Sequence, residues 1–223
     1  MDLRGHGESA WAPDQDYSVD AFVEDVRCVV ASLGAPPVLV GASLGGIASL
    51  IAEGESHPSI ASALVLVDIA PKIELGGALR IIQFMQDKPE GFASLDEAAD
   101  AVAAYLPHRR RPSDLSGLAR NLRRTPEGRW RWHWDPAFLE PGHGPRPSQD
   151  TDRLRAAARS LRVPTLLVRG GLSDLLSVEG AREFLELVPH ARFADVTDAG
   201  HMVAGDRNDR FTAAVIAFLE TLR

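Results

Sequence analysis

Cysteine is nearly missing from this 223-residue chain: Cys28 is the only one, so no disulfide can close within it. That usage fits a reducing compartment, and the reading it supports is a cytoplasmic protein. No stretch approaches the roughly 20 consecutive apolar residues of a membrane-spanning helix, which argues against a membrane protein. The opening residues, Met1-Asp2-Leu3-Arg4-Gly5-His6, do not read as a signal peptide. Excess positive charge is also lacking. The net charge is −7, whereas nucleic-acid binding needs a basic face. One local exception, His108-Arg109-Arg110-Arg111, has acidic residues on both sides and reads as solvated surface. Neither H-x-x-x-H nor C-x-x-C occurs, so neither a metal site nor a cofactor is expected. Aromatic residues make up only 6% of the chain, yet three of the four tryptophans crowd into Trp130-Arg131-Trp132-His133-Trp134.

What is present suffices for one sizeable core, with 45% hydrophobic and 25% charged residues. Ser18 is a candidate N-cap for a helix over 19–33, with Ala21, Phe22, Val26, Val29 and Val30 at helical spacing and Gly34 as its stop. Pro37-Val38-Leu39-Val40 reads as a buried strand, followed by a glycine-rich turn and a helix from Leu44 to Glu53. Ala63-Leu64-Val65-Leu66-Val67 is a second apolar strand ending at Asp68. Short continuous apolar runs between helices predict a parallel sheet covered on both faces. From Pro71 to Val163 the pattern changes to helices and turns, with a capping box at Ser94-Leu95-Asp96-Glu97 and a Pro/Gly-rich loop over 141–147. The strand–helix rhythm resumes at Thr165–Val168, then a helix over 178–188, a strand over 191–196 and a closing helix over 209–222.

Gly41-Ala42-Ser43-Leu44-Gly45 matches G-x-S-x-G at the place where that motif has meaning, between a buried strand and a helix. There the chain must reverse sharply. Gly41 and Gly45 are expected to avoid clashes in the turn, Ser43 to stand above the sheet edge, and the Leu44 N–H to be free for a developing oxyanion. A serine hydroxyl needs a base to attack at neutral pH. Of the seven histidines, His201 lies in a loop between the last strand and the last helix, and is the candidate. A carboxylate should orient its ring. Asp174, shortly after the strand at 165–168, and Asp68, directly after the strand at 63–67, both qualify.

These motifs, together with Asp2-Leu3-Arg4-Gly5-His6-Gly7-Glu8-Ser9 and the 200–209 loop, resemble the cofactor-independent α/β hydrolases, in their esterase-like, haloperoxidase-like and epoxide-hydrolase-like branch. The matches run from residue 2 to the closing helix. The resemblance implies an α/β-hydrolase fold: a core at 1–70 and 164–223, and a helical cap insertion at 71–163. It favours Asp174 over Asp68, because Gly-Leu-Ser-Asp after that strand is the family's usual arrangement. It also implies an N-terminally truncated chain, since the family's first strands and oxyanion loop would precede Asp2. Val38–Val40 would then lie at a sheet edge instead of inside the sheet.

Relatives that open epoxides carry an aspartate at the elbow. Ser43 instead points to ester, thioester or similar acyl chemistry through an acyl-enzyme on a small to medium, largely apolar substrate. Trp130, Trp132 and Trp134 would share one face of an extended segment, either packed within the insertion or lining the substrate pocket. Two other readings stay open: a non-catalytic binding module of the same fold, and a cofactor-free perhydrolase using the same three residues.

Overall fold

The computed structural model describes residues 1–146 and 150–222; Pro147, the end of the Pro/Gly-rich loop, lies outside the described residues. Contacts divide the chain into two compact units, one of residues 1–17 and 80–144, the other of residues 18–79 and 145–223.

The larger unit is a parallel sheet with helices on both faces. In chain order it contains α1 (Val19–Ser32), β1 (Val38–Ala42), α2 (Leu44–Gly54), β2 (Ala63–Val67) and the start of α3 (Leu75–Gln86). After the smaller unit, which holds α4 (Leu95–Tyr105), α5 (Ser116–Ala119), β3 (Leu122–Arg124) and β4 (Trp130–Trp132), it resumes with α6 (Thr151–Ser160) and β5 (Thr165–Gly170). It ends with α7 (Val178–Leu187), β6 (Arg192–Val196), α8 (Val203–Asp206) and α9 (Asn208–Glu220). The strand order is β1-β2-β5-β6, all parallel.

Local chemistry explains where these elements start and stop. The Ser18 hydroxyl accepts the Ala21 N–H at 3.2 Å and so caps α1. Gly34, at φ 72°, then turns the chain into the left-handed region that ends a helix. β2 is buried along its whole length. Ala63, Val65 and Val67 join Leu166, Val168 and Val196 in a cluster with Phe218, against which Phe211, Val215 and Leu219 of α9 pack. Leu64 and Leu66 point to the opposite face, where α2 covers β1 and β2 and is itself flanked by α1 and α6. β1 is an end strand of this sheet, and its Val40 is 52% exposed.

In the smaller unit, Phe92, Ala98 and Leu122 form a separate apolar cluster, with Trp130 and Trp132 packed on it. The Ser94 cap forms as the sequence predicts, its hydroxyl accepting the Glu97 N–H at 3.1 Å, while the Glu97 carboxylate reaches back to the Ala93 N–H. A hairpin of β3 and β4, which periodicity did not reveal, pairs Leu122 with Trp132 and Arg124 with Trp130. Two three-residue strands, half of whose residues are arginine, are too short and too polar to show an apolar run.

The first seventeen residues group with this unit, whereas the division expected from sequence placed them in a core of 1–70 and 164–223. Buried Tyr17 anchors them: its hydroxyl donates to Asp135 Oδ2 and accepts the Ala12 N–H, while the Asp135 N–H donates to the Gly5 carbonyl. Burial, then the hydrogen bond to Asp135, pushes the Tyr17 phenol up to about 12. Among the described residues no helix is long and apolar enough to cross a membrane.

Candidate active site

Ser43 follows β1 directly, and its backbone is held from both sides. Its N–H donates to the Val67 carbonyl of β2 at 3.2 Å, while its own carbonyl accepts from Gly46 and Ile47 in the first turn of α2. The chain reverses at Ser43 itself, with φ 48° and ψ −121°. A non-glycine residue there is strained by about 1–3 kcal/mol and persists only when its surroundings impose it. α2 begins at Leu44, so that N–H belongs to the first helical turn and has no partner within the helix.

The glycines divide their work differently from the expectation. A Cβ on Gly41 would lie 2.4 Å from the Gly45 carbonyl oxygen, so Gly41 is required. A Cβ on Gly45 would meet nothing within 4 Å. The second tight position is Gly46, where a Cβ would sit 2.4 Å from Ile69 and 2.9 Å from the Gly41 oxygen. Gly45 is therefore corrected to Gly46 as the steric partner of Gly41, because it is Gly46 that faces the strand ends as α2 turns back.

Asp68 follows β2 as Ser43 follows β1, and Ala42 is paired with Val67, so the two residues leave adjacent strands at the same edge. Neighbouring strands lie about 4.8 Å apart. The Asp68 carboxylate is fully buried and receives three donors. Gly170 N–H reaches Oδ1 at 2.8 Å, while the Ser173 hydroxyl and the His201 ring nitrogen Nδ1 reach Oδ2 at 2.5 and 2.8 Å. Those bonds offset the cost of burying the carboxylate.

His201 is brought there by its loop. The Gly200 N–H donates to Asp206 Oδ2 at 2.8 Å, the Ala199 carbonyl accepts from Leu172, and a Cβ on Gly170 would fall 2.1 Å from the Gly200 oxygen. This close approach lays the histidine loop on the end of β5, and the ring reaches across to Asp68.

His201 is thus partnered by Asp68 and not by Asp174, the acid favoured from sequence. Asp174 stands four residues beyond β5, in a segment whose backbone runs toward α3: a Cβ on Gly77 would lie 2.1 Å from the Asp174 oxygen. Sequence reasoning assigned no role to Ser173, although it stands inside the Gly-Leu-Ser-Asp run. Among the described residues no hydrogen bond joins the Ser43 hydroxyl to the His201 ring. Such contacts are often long before substrate binds and tighten in the reacting complex.

The tryptophans lie in the smaller unit. Trp132 stacks on Trp134 with ring centroids 5.1 Å apart, and both line a cavity of about 550 Å³ with Trp11, Met85 and Leu139; Trp130 instead packs on the Phe92 cluster. His133 lines the same cavity, and burial, followed by the charges of Arg123 and His6, holds its imidazole below the usual range. Among the described residues no group of three or more His, Cys, Asp or Glu could hold a metal ion.

The profile described as "Alpha/beta hydrolase family" matches residues 1–214. Esterase Rv0045c of Mycobacterium tuberculosis is 31% identical over 228 residues, covering 99% of this chain and 74% of that protein. Its crystal structure superposes with a TM-score of 0.78 at 29% identity, over 98% of this chain and 75% of that one. The mouse sn-1-specific diacylglycerol lipase ABHD11 is 28% identical, covering 98% of this chain and 70% of the lipase. E-2-(acetamidomethylene)succinate hydrolase shares the fold, with a TM-score of 0.81 at 23% identity over 98% of this chain and 80% of that one. The chain accordingly belongs to the alpha/beta hydrolase family and is an enzyme of that hydrolytic class.

Proposed function

We propose that the protein is a serine hydrolase that cleaves a small to medium, largely apolar ester or related acyl compound through an acyl-enzyme on Ser43. The single observation that carries this reading is the His201 Nδ1–Asp68 Oδ2 bond, formed at the sheet edge where the strained Ser43 emerges. With Nδ1 committed to Asp68, Nε2 is the nitrogen left to accept a proton.

In this reading Nε2 takes the Ser43 proton as Oγ attacks the acyl carbon. The Leu44 N–H donates to the oxygen that gains charge, and the imidazolium, stabilised by Asp68, returns the proton to the leaving group. Water then attacks the acyl-serine with His201 again as base, and the acid is released. The esterase and lipase names of the relatives support an acyl substrate.

A fluorophosphonate probe tests the assignment. Labelling at Ser43, abolished by Ser43→Ala and slowed by His201→Ala, is expected. A folded protein that does not label would favour a binding module instead.

A further inference from the structure

We propose that Ser173 is a positioning residue of this site, fixing the Asp68 carboxylate in the orientation that meets His201. The inference rests on the Asp68–His201 pair in the reading above. Rotation of a carboxylate about its last torsion is soft, so a single hydrogen bond would leave its plane poorly defined. Here each oxygen is held by a separate part of the β5 loop: Oδ1 by the Gly170 N–H, Oδ2 by the Ser173 hydroxyl.

Ser173 cannot easily turn away. A hydroxyl has one proton and two acceptor sites. Its oxygen accepts the N–H groups of Leu175 and Leu176 at 3.1 and 3.2 Å, which leaves the proton for Asp68. Leu175 and Leu176 are themselves buried, and the Leu176 carbonyl accepts from Arg169 at 2.8 Å. The rigidity of a packed loop is thereby passed to a carboxylate on the neighbouring strand.

The donor is also neutral. A lysine or arginine in this place would cancel much of the charge that the imidazolium needs. The charged groups on the surrounding elements are engaged elsewhere. Arg169 pairs with Asp195, Arg207 with Asp198 and Asp209, and Asp206 accepts the Gly200 N–H. Asp174, next in the chain, has contacts of its own.

The test compares Ser173→Ala, Ser173→Thr and Asp68→Asn in the full chain, with p-nitrophenyl butyrate as probe substrate. Ser173→Ala is expected to lower kcat about tenfold with KM unchanged, the loss of one hydrogen bond to a charged group, and Ser173→Thr to restore it. The proton on His201 Nδ1, followed by NMR in histidine-labelled protein, should shift downfield in Ser173→Ala as Oδ2 loses its competing donor. If Ser173→Ala does not fold, Ser173→Cys keeps a side chain of similar shape with a weak donor, and the same directions are expected. Wild-type kcat and an unmoved Nδ1 resonance in a folded Ala or Cys variant overturn the proposal. If Asp68→Asn also keeps full activity, the underlying assignment of Asp68 fails; if Asp68→Asn is crippled, only the role of Ser173 does.

Discussion

Asp68 and Asp174 stand beyond the ends of neighbouring parallel strands, but the chain treats them differently. Asp68 follows its strand without a spacer, takes a left-handed backbone at φ 52°, and is buried under three donors. Asp174 comes after a three-residue spacer and is only partly buried, its backbone packed on Gly77 of α3. Distance from the strand end, and not the acid itself, decides which carboxylate the imidazole meets.

The contrast can be broken or sharpened by substitution. Ser43→Ala sets the floor: ester turnover should fall by about 10⁴-fold or more, measured as kcat on a chromogenic ester. Asp68→Asn should come close to that floor, with a loss of about 10³–10⁴-fold, because the amide favours the wrong imidazole tautomer. Asp174→Asn should stay within about threefold of wild type. A larger loss at Asp174 than at Asp68 would reverse the assignment.

Two glycines sharpen the comparison through the loops. Gly170→Ala pushes a Cβ against the Gly200 oxygen and should destabilise the protein by about 3 kcal/mol in denaturant unfolding, while displacing His201 and lowering kcat. Gly77→Ala strains the backbone at Asp174 by the same 2.1 Å approach, so stability should drop comparably with kcat of the remaining folded enzyme retained. The smallest effect is expected at Gly45→Ala, where a Cβ meets open space: a change in stability under about 1 kcal/mol, seen as a small shift in Tm.

Much of the fold is legible from particular residues. Ser18 caps α1, the all-apolar Ala63–Val67 forms the buried β2, and the Ser94 box opens α4, each at the predicted place. The elbow is legible too, since a serine between a buried strand and a helix leaves the backbone few options. The β3–β4 hairpin is not, because Leu-Arg-Arg and Trp-Arg-Trp are too short and too polar to show an apolar alternation, and they are recognised as strands only by pairing with each other. Nor is the docking of residues 1–17 beside the hairpin, which depends on Tyr17 meeting Asp135 across 118 positions of sequence.

The amino-acid order by itself determined the alternation of strands and helices, the turn that carries Ser43 and the loop that carries His201, because caps, apolar periodicity and glycine turns act over a few residues. Only the tertiary structure decided that His201 meets Asp68, that Gly46 and not Gly45 gives the turn its clearance, and that Ser173 joins the carboxylate. The first depends on the loop after β6 settling on the end of β5, the second on Ile69 approaching α2, and the third on the β5 loop reaching Asp68, all set by packing between segments distant in sequence.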